Sequence, residues 1–102
     1  MSAKEKLMHL PLEKILPNPQ QPRKKFKEET IQGLAQSIRT QGIIQPLVVR
    51  VSRRFPGNFE LVAGERRWRA LQLTDISEIP VILKEVSDQD LLEVALLENI
   101  QR

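Results

Sequence analysis

The stretch AGERRWRAL, Ala63 to Leu71, sets a small residue and a glycine ahead of one glutamate and three arginines. Where a strand ends this way and a helix begins, unbonded backbone N–H groups and the positive end of the helix dipole together attract anions. Gly64 lets a phosphate come close to the main chain. At about 100° per residue, Arg66 and Arg69 share a flank with Glu65, while Arg67 turns towards the side of Leu71. Guanidinium groups would thus reach a ligand from two directions, and the chemistry they suit is the grip of phosphate oxygens. The same arginines also suit a solvated surface or ion pairs with Glu60, Glu65 or the carboxylates of the last helix, and this motif alone leaves both readings open. Trp68, at helical spacing with Leu71, reads as core.

Two further groups could take part. On the last helix, Glu98 falls within about 20° of Leu91 and shares its face with Val94 and Ala95, and Asn99 falls near Ala95 and Leu92. A carboxylate and an amide on an apolar face need something to satisfy them. Their oxygens suit Mg²⁺ accompanying a phosphate; pairing of Glu98 with an arginine of the GERR helix, or fraying, is the other reading. The run PNPQQPR places three prolines in six positions, a stiff loop that holds Gln21 and Arg23 at its end. Gln21 could orient a water or a phosphate and Arg23 supply charge, or the segment is a hinge with exposed polar residues. Gln45, in GIIQP, either touches a base edge or belongs to a plain loop. RKKFK (23–27) is offset by Glu28 and Glu29 and reads as a solvated basic turn, and His9 carries no inference.

The elements that must position these residues follow from spacing. HLPLEKI (9–15) reads as a short edge strand, where Pro11 is tolerated. From Glu28 to Gln41 the apolar positions Ile31, Leu34, Ala35 and Ile38 mark one helix face, closed by Gly42. QPLVVRV (45–51) and NFELVA (58–63) form a hairpin across Pro56-Gly57. A short helix is expected from about Glu65 to Leu73, a third strand over 79–85, and a final helix after Ser87, whose spacing to Asp90 suits a cap. The result is an α+β domain: a small mixed sheet with three main helices.

Bulk properties agree. The 102 residues allow one core, with residues 1–9 as a tail and 10–102 as the domain. Forty per cent apolar content, 28% charged residues and a net charge of +3 describe a mildly basic chain for which an anionic ligand is plausible but not demanded. The absence of cysteine removes disulfides, thiolate metal sites and cysteine nucleophiles, and a single histidine disfavours a zinc centre or a histidine-based triad. No apolar run approaches bilayer length and MSAKEKLMHL lacks the features of a signal peptide, so a cytoplasmic chain is expected.

Read together, PNPQQPR (17–23), GIIQPLVVR (42–50), GERRWRA (64–70) and ENIQR (98–102) closely resemble the N-terminal domain of the ParB family of bacterial chromosome and plasmid partition proteins, which includes the nucleoid-occlusion factors. The resemblance covers roughly Leu10 to Arg102. It implies a CTP-binding domain with a sulfiredoxin-related fold. Gln21, Arg23, Gln45 and Pro46 would form the cytidine side of the pocket, Gly64, Glu65, Arg66 and Arg67 would grip the triphosphate, and Glu98, Asn99 and Arg102 would complete the phosphate and Mg²⁺ site. It implies slow CTP hydrolysis, with Gln21 and Glu65 as candidates to position the attacking water. It further implies nucleotide-dependent self-association into a clamp on DNA and a nucleoid-associated location. A ParA-type ATPase is an expected partner of the full-length protein. The helix-turn-helix region and dimerisation domain that follow ENIQR in the family lie outside these 102 residues, and no membrane helix of the nucleoid-occlusion type precedes Leu10; we therefore expect a piece of a longer protein. Two other readings remain: a ParB-like small-molecule kinase, and a DNA-binding module without nucleotide activity, which the mild charge disfavours. A sulfiredoxin-like reductase fails for want of a cysteine.

Overall fold

The apolar period from Glu28 to Gln41 becomes helix α1 over that span in the computed structural model, which describes residues 5–19, 28–43 and 45–100, with the main chain alone at 94, 95 and 98–100. Ile31, Ala35 and Ile38 are its buried residues. Gly42, at φ +79°, donates its N–H to the Ile38 carbonyl at 2.7 Å and ends the helix. Helix α2 spans Glu65–Leu71 and stops before the expected Leu73. The N–H groups of Leu73 and Thr74 bond three residues back, to Ala70 and Leu71, and the Thr74 hydroxyl donates to the Leu71 carbonyl at 2.9 Å. Such tightening and side-chain competition close a helix. Helix α3 spans Asp88–Ile100, and its Ser87 Oγ accepts the Asp90 N–H at 3.1 Å, as the spacing implied.

Five strands, β1 (Lys6–Pro11), β2 (Ile15–Leu16), β3 (Leu47–Val51), β4 (Phe59–Ala63) and β5 (Glu78–Leu83), form one mixed sheet in the order β1-β5-β3-β4-β2. The β3–β4 hairpin is antiparallel as expected, and β3–β5 and β2–β4 are parallel. The single strand expected over 9–15 is instead two strands at opposite edges of the sheet, parted by a 3₁₀ turn at Leu12–Lys14. The Leu12 N–H leaves the ladder for the Ser77 carbonyl at 2.8 Å, directly after Pro11. Four residues from Pro11 to Ile15 reach at most about 14 Å. Five flat strands would put the edges about 19 Å apart. The sheet must therefore curl until its edges approach each other.

That curl encloses the core. Leu47 and Val49 of β3, Leu61 of β4, and Ile79 and Val81 of β5 meet Ile31, Ala35 and Ile38 of α1 and Ala70 and Leu71 of α2. Alternation sends Arg50, Glu60 and Val62 to the opposite face, where α3 lies against β4 with Leu91 fully buried. Among the described residues no helix is long and apolar enough to cross a membrane.

Candidate functional site

Gly64 joins β4 to α2 with φ 106° and ψ 30°, in the left-handed region. A Cβ built there would stand 2.7 Å from Leu47 Cδ2 and 3.6 Å from Arg67 Nη2. Glycine is thus required twice, by the backbone angle and by the leucine beneath it. The turn leads straight into Trp68, whose N–H meets the Gly64 carbonyl at 2.8 Å. Its indole Nε1–H donates to the Ile15 carbonyl at 3.2 Å while the ring packs against the core. The tryptophan fastens α2 to β2, in keeping with the packing role read from its spacing.

The arginines divide as their azimuths implied. Arg69 Nε donates to Glu65 Oε2 at 3.1 Å, and Glu65 is buried. Arg67 Nη1 donates to the Gln45 carbonyl at 2.7 Å, bracing the segment that precedes β3. Arg66 is half-buried and makes no ion pair with another described residue. The ion-pair alternative therefore holds for Arg69 with Glu65, whereas Glu60 is taken by Arg50. Because α2 has only seven residues and carries Glu65 in its first turn, the helix end offers a weak field. Grip on an anion must come from the guanidinium groups.

Beside Arg67 lies a cleft of ≈ 340 Å³. Leu34, Ser37 and Ile38 of α1 form one wall, Leu47 and Leu71 the floor, and Gly42, Ile43 and Gln45 the rim facing Arg67. An apolar slot with one cation at its mouth suits a flat ring joined to an anionic tail. Sequence reasoning located Gln45, Gly64 and Arg67 but read Leu34 and Ile38 as core alone and passed over Ser37. Their shared i, i+3, i+4 spacing marks one face, yet only the fold shows that part of this face is left uncovered.

Pro46 is half-buried between Gln45 and β3. Gln21, Arg23 and Arg102 lie outside the described residues, as do the side chains of Glu98 and Asn99; the main chain places 98 and 99 in the last turn of α3. The proline loop is described as far as Pro19, with Asn18 buried. Among the described residues no group of three or more His, Asp or Glu could hold a metal ion.

Comparisons with known proteins bear on this geometry. A family profile described as ParB N-terminal domain matches residues 1–100. The nucleoid occlusion protein of Geobacillus kaustophilus is 52% identical over 99 residues, which cover 97% of this chain and 34% of that protein. The chain thus spans a minor part of that relative's length. The C-terminally truncated chromosome-partitioning protein ParB from Caulobacter crescentus, solved in complex with CTP-gamma-S, is similar at a TM-score of 0.85 and 41% identity, over 95% of this chain and 54% of that one. Sulfiredoxin from Arabidopsis thaliana, 23% identical with a TM-score of 0.66 over 95% of this chain and 98% of its own, shares the fold alone. The expected α+β architecture with a sulfiredoxin-related fold is met.

Proposed function

The chain belongs to the ParB N-terminal domain family, and from that premise we propose that it is the CTP-binding switch domain of a chromosome-partition or nucleoid-occlusion protein. One observation carries the reading: the apolar cleft against α1 that opens onto Arg67. The cytosine ring enters between Leu34, Ile38 and Leu71, and the triphosphate leaves past Arg67 towards Arg66, with Arg23 and Arg102 adding charge. Gly64 keeps this passage open, since any side chain there would press on Leu47 and crowd Arg67.

Glu98 and Asn99 supply one carboxylate and one amide oxygen, a donor set that Mg²⁺ accepts when phosphate oxygens and water fill the remaining positions. A bound Mg²⁺ would neutralise charge on the phosphates. In slow hydrolysis a water oxygen attacks the γ-phosphorus in line and the β–γ bridging oxygen leaves, giving CDP and phosphate. Gln21 or Glu65 positions that water, and the arginines meet the charge that develops. In the whole protein, nucleotide binding draws two such domains together on DNA that further domains recognise, in the cytoplasm on the nucleoid, with a ParA-type ATPase as a partner.

Calorimetric titration with CTP, ATP, GTP and UTP in Mg²⁺ tests the reading. Saturable binding of CTP well above the other three is expected; equal binding of all four, or of none, overturns it.

A further inference from the structure

On the sheet face away from the cleft, Arg50 of β3 and Glu60 of β4 stand directly opposite each other. Glu60 is 3% exposed. Its Oε1 accepts Arg50 Nε at 3.0 Å and Nη2 at 2.8 Å, and its Oε2 accepts the Ser52 hydroxyl at 3.0 Å. The same guanidinium reaches out of the sheet: Nη1 donates to the Val86 carbonyl at 3.0 Å, and Nη2 meets Asp88 Oδ1 at 2.8 Å. Val86 and Asp88 bracket the point where α3 begins. Only a planar fork can serve a carboxylate on one side and a carbonyl and a second carboxylate on the other. A buried pair of this kind adds little net stability over an apolar pair of the same volume, so its use here points to placement.

What is placed is α3. Leu91 is fully buried, while Leu92, Glu93, Leu96 and Leu97, the other described α3 side chains beyond it, are exposed. Ten residues separate Asp88 from Glu98, or about 15 Å of helix. A tilt of about 10° at the start would then carry residue 98 by about 2.5 Å. A site that coordinates a cation and phosphates tolerates about 0.5 Å. We infer that Arg50 is a positioning residue for the nucleotide site: by holding Val86 and Asp88 it sets the direction of α3, and so where residues 98 and 99 stand. The inference rests on the CTP–Mg²⁺ reading above.

Two variants of this chain test it without stranding a buried charge. Asp88→Ala removes one of the two helix-side ties, at an exposed residue, and leaves the bond to the Val86 carbonyl; Arg50→Met with Glu60→Leu removes both and replaces the buried pair by apolar side chains. Asp90→Ala, in the same first turn but without a tie to Arg50, controls for lost charge at the helix end. Amide hydrogen exchange of the nucleotide-free protein should quicken across residues 91–97 in both test variants and stay unchanged in α1 and in the control. The CTP dissociation constant should rise roughly tenfold in Mg²⁺ and hold steady without it. Exchange in α3 that does not change, or equal weakening with and without Mg²⁺, overturns the inference. A parent chain that binds no CTP overturns the nucleotide reading instead, and with it the role assigned to residues 98 and 99; the exchange rates alone then decide whether Arg50 holds α3.

Discussion

At the scale of single residues, Gly64 and Arg67 separate stability from binding. Gly64→Ala must force a side chain to φ 106° and press a methyl to within 2.7 Å of Leu47 Cδ2. The two penalties together should lower the unfolding free energy by about 2–4 kcal/mol, read from denaturant titration. Adding Leu47→Ala should not restore it, because the angle remains and a core leucine is lost. Arg67→Ala differs: its one described bond, to the Gln45 carbonyl, is exposed and contributes at most about 1 kcal/mol. Its thermal midpoint should hardly move while CTP affinity falls at least about tenfold, with Arg67→Lys recovering only part because an ammonium lacks the fork. An unchanged affinity in Arg67→Ala would remove the main support for the nucleotide reading. These residues were legible in the sequence because their demands are local: a glycine at a strand–helix turn and an arginine at a definite azimuth on a short helix. Arg50 and Glu60 were not legible as a pair, since their juxtaposition depends on the register across β3 and β4, which shifts between Val48 and Val49.

Among the elements, α1 and the β3–β4 hairpin could be read directly, because a 3.6-residue period, a closing Gly42 and a Pro-Gly turn are near-neighbour signals. The segment 6–16 could not. Nothing in HLPLEKI says that its first half pairs with β5 and its second with β4 across a curled sheet; that is decided by strands some 45 to 70 positions later in the chain. The joint depends on Trp68, whose Nε1–H binds the Ile15 carbonyl. Trp68→Phe keeps an aromatic ring in the core but removes that donor and the outer part of the indole, so stability should fall by about 2–3 kcal/mol, the lost bond and the vacated space together. Amide exchange should quicken at Ile15 and Leu16 before it does in α1 or β5. If exchange instead rises evenly through the core, the indole serves as bulk alone, and the closure of the sheet must rest on the parallel pairing of β2 with β4.

The molecule as a whole turns these local features into a measurable response to a ligand. The cleft is walled by α1, by Gly42, Ile43 and Gln45, and by β3 and α2, whose buried residues belong to one core, so a ligand seated there links elements that unfold together. A nucleotide at a hundredfold excess over its dissociation constant adds about 2.7 kcal/mol to the native state. For a domain of this size each kcal/mol moves the midpoint by about 4–8 °C, so CTP with Mg²⁺ should raise it by roughly 10–20 °C. ATP and GTP at the same concentration should leave it near the ligand-free value, and a chelator should remove much of the CTP effect. A net charge of +3 also bounds the alternatives: a chain that reads DNA through phosphate neutralisation would show steep salt dependence and stabilisation by duplex without nucleotide. Thermal scans of this chain with duplex DNA alone should therefore show no shift at 150 mM salt, about the physiological ionic strength. A shift with duplex and none with CTP would make this face of the protein a nucleic-acid surface, leaving the cleft beside Arg67 without a ligand.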